Sequence, residues 1–122
     1  MVLFMEIKRF EGNGRTSKAV IYNGVLYISG IAILGAEGEG GDITEQTLLI
    51  LGKIEQILLQ YGSGKDKLLS ATIHLKDMSM KAEMDAAWKK WIIPGKEPSR
   101  TTVQAGLAES VQLIEITMSA AV

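Results

Sequence analysis

Two residues near the carboxyl end of the chain have the side chains best suited to chemistry, Arg100 and Glu115. Each lies in a run with the composition of a β-strand, and a short segment joins the two runs. If the runs pair as a hairpin and both side chains share a face, the guanidinium can bind an anion and the carboxylate can activate a water beside it. The pattern therefore predicts a site for a small anionic substrate.

The same two residues also permit a purely structural interpretation. Glu115 stands between Ile114 and Ile116, where burial of a carboxylate is costly unless it meets a cation, a hydrogen-bond donor or water. An ion pair with Arg100, or with a residue of a neighbouring subunit, would satisfy it. Because structural ion pairs and catalytic pairs share this pattern, residue type and spacing leave both interpretations open.

The remaining candidate groups point away from metal, thiol and nucleotide chemistry. His74 is the only histidine and the chain has no cysteine, which excludes a histidine-rich metal site, disulfides and thiol catalysis. We interpret His74 as a surface or interface side chain. The glycine-rich segment Gly35 to Gly41 lacks a dinucleotide or P-loop pattern and is predicted to be an exposed loop. Trp88 and Trp91 share helical spacing with Met84, and we interpret them as core.

Composition limits the class of protein. The 122 residues suit one domain, residues 1–122, and 47 % hydrophobic with 22 % charged residues is the balance of a folded globular protein. The net charge of −1, without a cluster of Lys and Arg, disfavours binding to nucleic acid or an anionic membrane. No run approaches the ~18 apolar residues of a membrane span. The first residues do not resemble a signal peptide, so we expect a cytoplasmic protein.

The elements that must position Arg100 and Glu115 follow from hydrophobic periodicity. Three strands come first, with Asn23 and Gly24 as a two-residue hairpin turn. A helix capped by Asp42 follows, then a strand, a second helix and two final strands. The predicted ranges are 4–10, 19–22, 25–30, 42–62 (helix), 69–76, 80–91 (helix), 101–107 and 112–120.

Two helices can cover only one face of such a sheet. In the last strand Ile114 and Ile116 point one way and Glu115 points the other. A half-polar face with interspersed apolar residues is typical of a subunit interface with ligand clefts, although a solvated sheet face has the same composition. The pattern therefore favours oligomerisation.

The carboxy-terminal pattern P-x-R-x-x-V, followed by a leucine and a strand reading I-E-I, resembles the signature of the RidA (YjgF) family. The matching residues are Pro98, Arg100, Val103, Leu107, Glu115 and Ile116. The resemblance extends to VLYISG at 25–30, to the helix at 47–57 and to ATIHLKDM at 71–78. It covers nearly the whole chain, and the pair Trp88 and Trp91 resembles a divergent branch of the family.

This resemblance implies a chorismate-mutase-like α+β sandwich, with a mixed six-stranded sheet and two helices on one face. It implies a homotrimer with a ligand cleft at each subunit interface. The implied reaction is hydrolysis of enamines and imines, such as 2-aminoacrylate and 2-iminobutanoate, to 2-keto acids and ammonia, without cofactor or metal. Matched by position, Arg100 would bind the substrate carboxylate and Glu115 would deprotonate water. Ser29, Gly30 and Thr102 would line the cleft.

Three positions depart from the family pattern and leave the substrate open. Thr102 replaces a cysteine, Thr16 takes the place of a cleft tyrosine, and Asp85 stands where an asparagine is common. A negative Asp85 would oppose an anionic ligand if it pointed into the cleft, and would be harmless on a helix surface. Two alternatives remain. One is a non-catalytic trimeric protein that binds small carboxylates, and the other is an RNA-cleaving or translation-inhibiting protein, which the acidic balance disfavours.

Overall fold

Six strands and two α-helices follow one another in the predicted order, in a computed structural model that describes residues 6–34 and 41–122. Residues 35–40 of the predicted glycine-rich loop, and the start of the first predicted strand, lie outside the described residues. Short 3-10 turns at Lys65–Lys67 and Met78–Met80 precede the fourth strand and the second helix. The elements are β1 Lys8–Gly12, β2 Ser17–Tyr22, β3 Val25–Ile31, α1 Ile43–Gln60, β4 Leu68–Leu75, α2 Lys81–Trp91, β5 Ser99–Gln104 and β6 Ile114–Ala121.

The strands form one mixed sheet in the order β1-β2-β3-β6-β4-β5. Strands β4 and β5 are parallel, and the other neighbours are antiparallel. The predicted hairpin between the last two strands is therefore wrong, because β6 lies between β3 and β4. The buried alternation of β6 suits the middle of a sheet, whereas the polar SRTTVQ of β5 suits an edge.

Local signals set the first hairpin and the start of α1 as predicted. Asn23 and Gly24 have φ values of 51° and 76°, the left-handed pair that a type I′ turn requires, and Tyr22 pairs with Val25 across it. The Asp42 side chain accepts a hydrogen bond of 2.8 Å from the backbone N–H of Glu45 and so caps α1.

The two helices cover one face of the sheet, and the core lies between. Trp88 and Trp91 of α2 are 7 % and 8 % exposed, which confirms their interpretation as core. Among the described residues, no helix is long and apolar enough to span a membrane. The buried strand residues beneath the helices are Ala19, Leu26, Ile28, Leu68, Ala71, Ile73, Leu75, Ile114, Ile116, Met118 and Ala120.

The other face of the sheet, which we call the open face, carries no helix in the described part of the chain. It is half-polar, as predicted, and retains exposed apolar side chains at Tyr27 and Val103. Thr72, His74, Glu115 and Thr117 are partly buried residues of its centre.

Candidate functional site

Strand β6 places Glu115 on the open face. Its neighbours Ile114 and Ile116 are fully buried on the helix side, while the Glu115 side chain is 38 % exposed. Because successive side chains of a strand point to opposite faces, the two isoleucines fix the direction of the carboxylate. The predicted orientation of Glu115 is thus confirmed.

Gly30 leaves the space that the Glu115 carboxylate occupies. The pairing of β3 with β6 is irregular between Ile28 and Ile31, and Gly30 lies within this bulge. A Cβ atom at Gly30 would lie 2.7 Å from Oε1 of Glu115. Any larger residue would therefore have to displace the carboxylate.

A cleft of about 590 Å³ opens where β3 ends beside α1. Gly30 and Glu115 line it together with polar side chains of β2, α1 and the segment before β6. Carboxylate, lysine and amide groups around a partly apolar floor suit a small polar ligand. The polar side chains not named before are Lys18, Lys53, Gln56, Gln60 and Gln112.

Ser29 lies beside this cleft, but its hydroxyl forms a hydrogen bond with the backbone. Its Oγ donates a hydrogen bond of 2.6 Å to the carbonyl of Ser17 on the adjacent strand β2. Ser29 therefore stabilises the pairing of β2 with β3 next to Gly30.

Arg100 lies on the other side of the sheet. It pairs with Ala71 of β4, a buried residue of the helix-covered face. Its Nη2 donates a 2.7 Å hydrogen bond to Oδ1 of Asp85 on α2, and its Cζ lies 5.1 Å from the centre of the Trp88 ring. The guanidinium is thus held by an ion pair and an aromatic face.

Asp85 bridges Arg100 and Lys81, whose Nζ lies 2.7 Å from the other carboxylate oxygen. Partial burial raises the pKa of Asp85, but the hydrogen bonds and charges of Lys81 and Arg100 outweigh burial and leave that pKa below its ordinary value. A lowered carboxyl pKa keeps the bridge intact at neutral pH, and the bridge is lost only as the pH falls through that lowered value. Asp85, one of the three departures from the family pattern, therefore contacts the arginine that was predicted to bind the anion.

Arg100 and Glu115 do not share a face within one chain, which corrects the expectation of a site inside a single hairpin. Their partners on β4 are Ala71 and His74, three residues apart, and an odd spacing on a strand places side chains on opposite faces. Thr102 lies on the same face of the sheet as Arg100, because it pairs with buried Ile73. Its Oγ1 is buried without a hydrogen-bond partner among the described residues.

His74 was not predicted to belong to the site, yet it lies directly across from Glu115. Its Nδ1 is 4.0 Å from Oε1 of Glu115. No local sequence signal could have revealed this neighbour, because the register of β4 against β6 is a long-range property. Within residues 6–34 and 41–122, no group of three or more His, Cys, Asp or Glu side chains is placed to hold a metal ion.

Comparison with known proteins assigns the class to which this fold belongs. The family model described as Endoribonuclease L-PSP matches residues 6–122. The RutC family protein YoaB of Escherichia coli K12 is 40 % identical over 118 residues, covering 97 % of this chain and 100 % of that protein. NMB1025, a YjgF-family protein of Neisseria meningitidis, has a TM-score of 0.88 at 37 % identity, covering 96 % and 95 % of the two chains.

A further solved structure, YyfA of the conserved Rid protein family from Yersinia pestis, has a TM-score of 0.78 at 31 % identity and covers 91 % of this chain and 90 % of its own. The fold is thus the chorismate-mutase-like α+β sandwich, with six strands and two helices. The chain belongs to the RidA (YjgF) family.

Proposed function

We propose that this protein hydrolyses reactive imines and enamines, of the 2-iminobutanoate and 2-aminoacrylate type, to 2-keto acids and ammonia. Family membership supports the reaction class. The observation that carries the proposal is the placement of Glu115, whose carboxylate lies over Gly30 at the edge of a polar cleft. A carboxylate in reach of water at such a cleft can act as a general base.

The proposed site lies between the subunits of a homotrimer. Arg100 and Glu115 face opposite sides of their own sheet, so a site that uses both must take them from different copies of the chain. The half-polar open face, with exposed Tyr27 and Val103, offers a surface for such assembly. In a closed ring each subunit then supplies Arg100 to one site and Glu115 to the next.

The proposed mechanism assigns one task to each charged residue. Arg100 binds the substrate carboxylate through the fork of its guanidinium, of which Asp85 occupies only part. Water adds to the carbon of the protonated C=N group, so that a C–O bond forms, the π electrons move to nitrogen, and Glu115 takes one proton of the water. An enamine enters as its imine tautomer.

The second half of the reaction returns that proton. Glu115 donates it to the nitrogen of the carbinolamine, the C–N bond breaks and ammonia leaves. The hydroxyl oxygen forms the C=O bond while its proton passes to solvent. Lys18 and Lys53 line the same cleft and favour an anionic ligand there.

A direct assay tests the proposal. Purified protein is added to 2-iminobutanoate generated in situ, and the release of 2-oxobutanoate and ammonia is compared with buffer alone. Acceleration supports a deaminase. The absence of acceleration from an intact oligomer that still binds 2-oxobutanoate would support the alternative of a non-catalytic carboxylate-binding protein.

The family description Endoribonuclease L-PSP names RNA cleavage as a second candidate. The net charge of −1 does not favour RNA binding, since that affinity comes largely from phosphate neutralisation by Lys and Arg. Incubation with a labelled RNA at low and moderate salt distinguishes RNA cleavage from imine hydrolysis. Specific cleavage that persists in an Arg100→Ala variant would argue for a separate RNA site.

Asp85→Asn is expected to strengthen binding of small carboxylates. The substitution removes a negative charge that lies 2.7 Å from the guanidinium of Arg100, so an incoming carboxylate meets less competition. The Kd for 2-oxobutanoate, measured by titration calorimetry, should fall about three- to fivefold, the size of an exposed ion-pair effect. Lys81→Gln is the matched variant of opposite sign. It should raise Kd, because Asp85 then has Arg100 as its only cationic partner among these three residues and competes more strongly with the ligand. An unchanged Kd in both variants contradicts the prediction.

Gly30→Ala is expected to lower kcat by roughly tenfold to a hundredfold. The added Cβ would lie 2.7 Å from Oε1 of Glu115, so the carboxylate would have to move away from it. Gly52→Ala is the control, since a Cβ there meets no atom within 4 Å. This helix position should gain up to about 1 kcal/mol of stability and keep full activity. Steady-state kinetics and thermal unfolding of both variants provide the check, and full activity of Gly30→Ala would argue against the assigned carboxylate position.

A further inference from the structure

His74 is the residue that faces Glu115 from the neighbouring strand β4. The two are direct cross-strand partners on the open face, with 4.0 Å between Nδ1 of His74 and Oε1 of Glu115. The Nδ1 atom is buried and has no hydrogen-bond partner among the residues that the structure describes. A buried ring nitrogen without a partner is unusual in a folded protein.

The surroundings of His74 leave Glu115 as the natural partner of this nitrogen. On the other side of β4 the cross-strand neighbour is Val103, whose side chain has no polar atom. The His74 and Glu115 side chains are 32 % and 38 % exposed, so the packing of their own chain does not lock either in place. A modest side-chain rotation closes 4.0 Å to a hydrogen bond.

One oxygen of Glu115, Oε1, lies close to both Gly30 and His74. Oε1 lies next to the Cβ position of Gly30 and is also the oxygen nearest to Nδ1 of His74. A hydrogen bond from His74 to Oε1 would hold the carboxylate over Gly30 and leave Oε2 for the attacking water. A base held by one oxygen needs less reorganisation when the other oxygen accepts a proton.

We infer that His74 is a positioning residue for Glu115, donating from Nδ1–H to Oε1 and orienting the carboxylate for water activation. The inference rests on the proposed role of Glu115 as general base. It predicts that His74 acts on turnover and not on substrate affinity, because the substrate carboxylate is bound by Arg100.

Three substitutions at this position separate orientation from packing. His74→Phe keeps the ring and removes the donor, and it should lower kcat roughly tenfold to a hundredfold with KM changed less than about twofold. His74→Asn places an amide nitrogen close to the position of Nδ1 and should restore most of kcat. His74→Gln places its amide nitrogen nearer the position of Nε2 and should not. Thr72→Val, two residues away on the same face, is the control and should keep full activity.

A spectroscopic measurement tests the contact without relying on turnover. His74 is the only histidine of the chain, so its imidazole ¹⁵N signals are unambiguous. In the neutral imidazole they should show the Nδ1–H tautomer in the wild-type protein, and Glu115→Gln should reduce the population of that tautomer. An Nε2–H tautomer that Glu115→Gln does not alter would overturn the contact.

The outcomes also separate this inference from the proposed function. If Glu115→Gln loses turnover while His74→Phe keeps the wild-type kcat, His74 has no positioning role and the deaminase proposal stands. If Glu115→Gln keeps turnover, the proposed general base is wrong and the inference falls with it. Equal loss in His74→Phe and His74→Asn would also overturn the inference, since it would indicate a packing effect.

Discussion

Replacing Glu115 by glutamine is expected to lower kcat by about 10²- to 10⁴-fold, the usual contribution of a positioned general base. Glutamine keeps the size of the side chain and can still lie over Gly30, but its amide cannot take a proton from water. The Kd for 2-oxobutanoate should remain close to that of the wild type, because the proposed carboxylate contact is made by Arg100. Single-turnover kinetics on in-situ imine, with calorimetry of the product, measure the two quantities separately.

A charge-matched control keeps the Glu115 result interpretable. Glu83→Gln removes one carboxylate from the exposed side of α2 and should leave both kcat and Kd unchanged. If Glu115→Gln instead dissociates the oligomer, the carboxylate has the structural role that its position between two isoleucines also permits. Turnover at the wild-type rate would exclude Glu115 as the base.

Those parts of the fold that depend on short-range signals could be predicted from the sequence. The turn at Asn23 and Gly24 and the cap at Asp42 each follow from the chemistry of a few consecutive residues. Helix α2 ends at Trp91 as its periodicity indicated, shortly before Pro94. In such segments the local preference and the final structure agree.

The sheet order could not be predicted in the same way. Strands β5 and β6 are consecutive along the chain, which favours a hairpin, but the apolar alternation of β6 is better satisfied between β3 and β4. The faces of Arg100 and Glu115 are set by their separate registers against β4, and no local pattern encodes a register. The predicted hairpin therefore misplaced the two candidate residues relative to each other.

Asp85 illustrates the same limit at the level of a single side chain. The resemblance marked it as a departure from the family pattern, and its charge raised the question of where it points. Only the packing of α2 against the β5 edge places it 2.7 Å from Arg100. A residue that would be harmless on the solvent side of the helix thereby competes with an anion for Arg100, the arginine proposed to bind it.

Mixing two inactive variants is expected to restore activity if each site takes Arg100 and Glu115 from different subunits. In a trimeric ring that contains both Arg100→Ala and Glu115→Gln chains, one interface always joins an intact Arg100 to an intact Glu115. Random assembly of an equal mixture therefore gives about a quarter of wild-type activity. A site within one chain gives none, since every chain lacks one of the two residues. Coexpression of the two variants at equal levels, both carrying the same affinity tag, recovers every trimer of the random mixture.

A second mixture gives a different ratio for a shared site and for a site within one chain, provided that gel filtration shows the double variant assembled in the trimers. Wild-type chains mixed equally with the Arg100→Ala, Glu115→Gln double variant also give about a quarter of wild-type activity when sites lie between subunits, because both neighbours must be intact. Sites within single chains would give about half. Equal activity in the two mixtures is thus expected only for a shared site. Zero in the first mixture and half in the second would require a rearrangement that brings Arg100 and Glu115 to one face of a single sheet. The registers of β5 and β6 against β4 permit no such arrangement unless all three strands change their pairing.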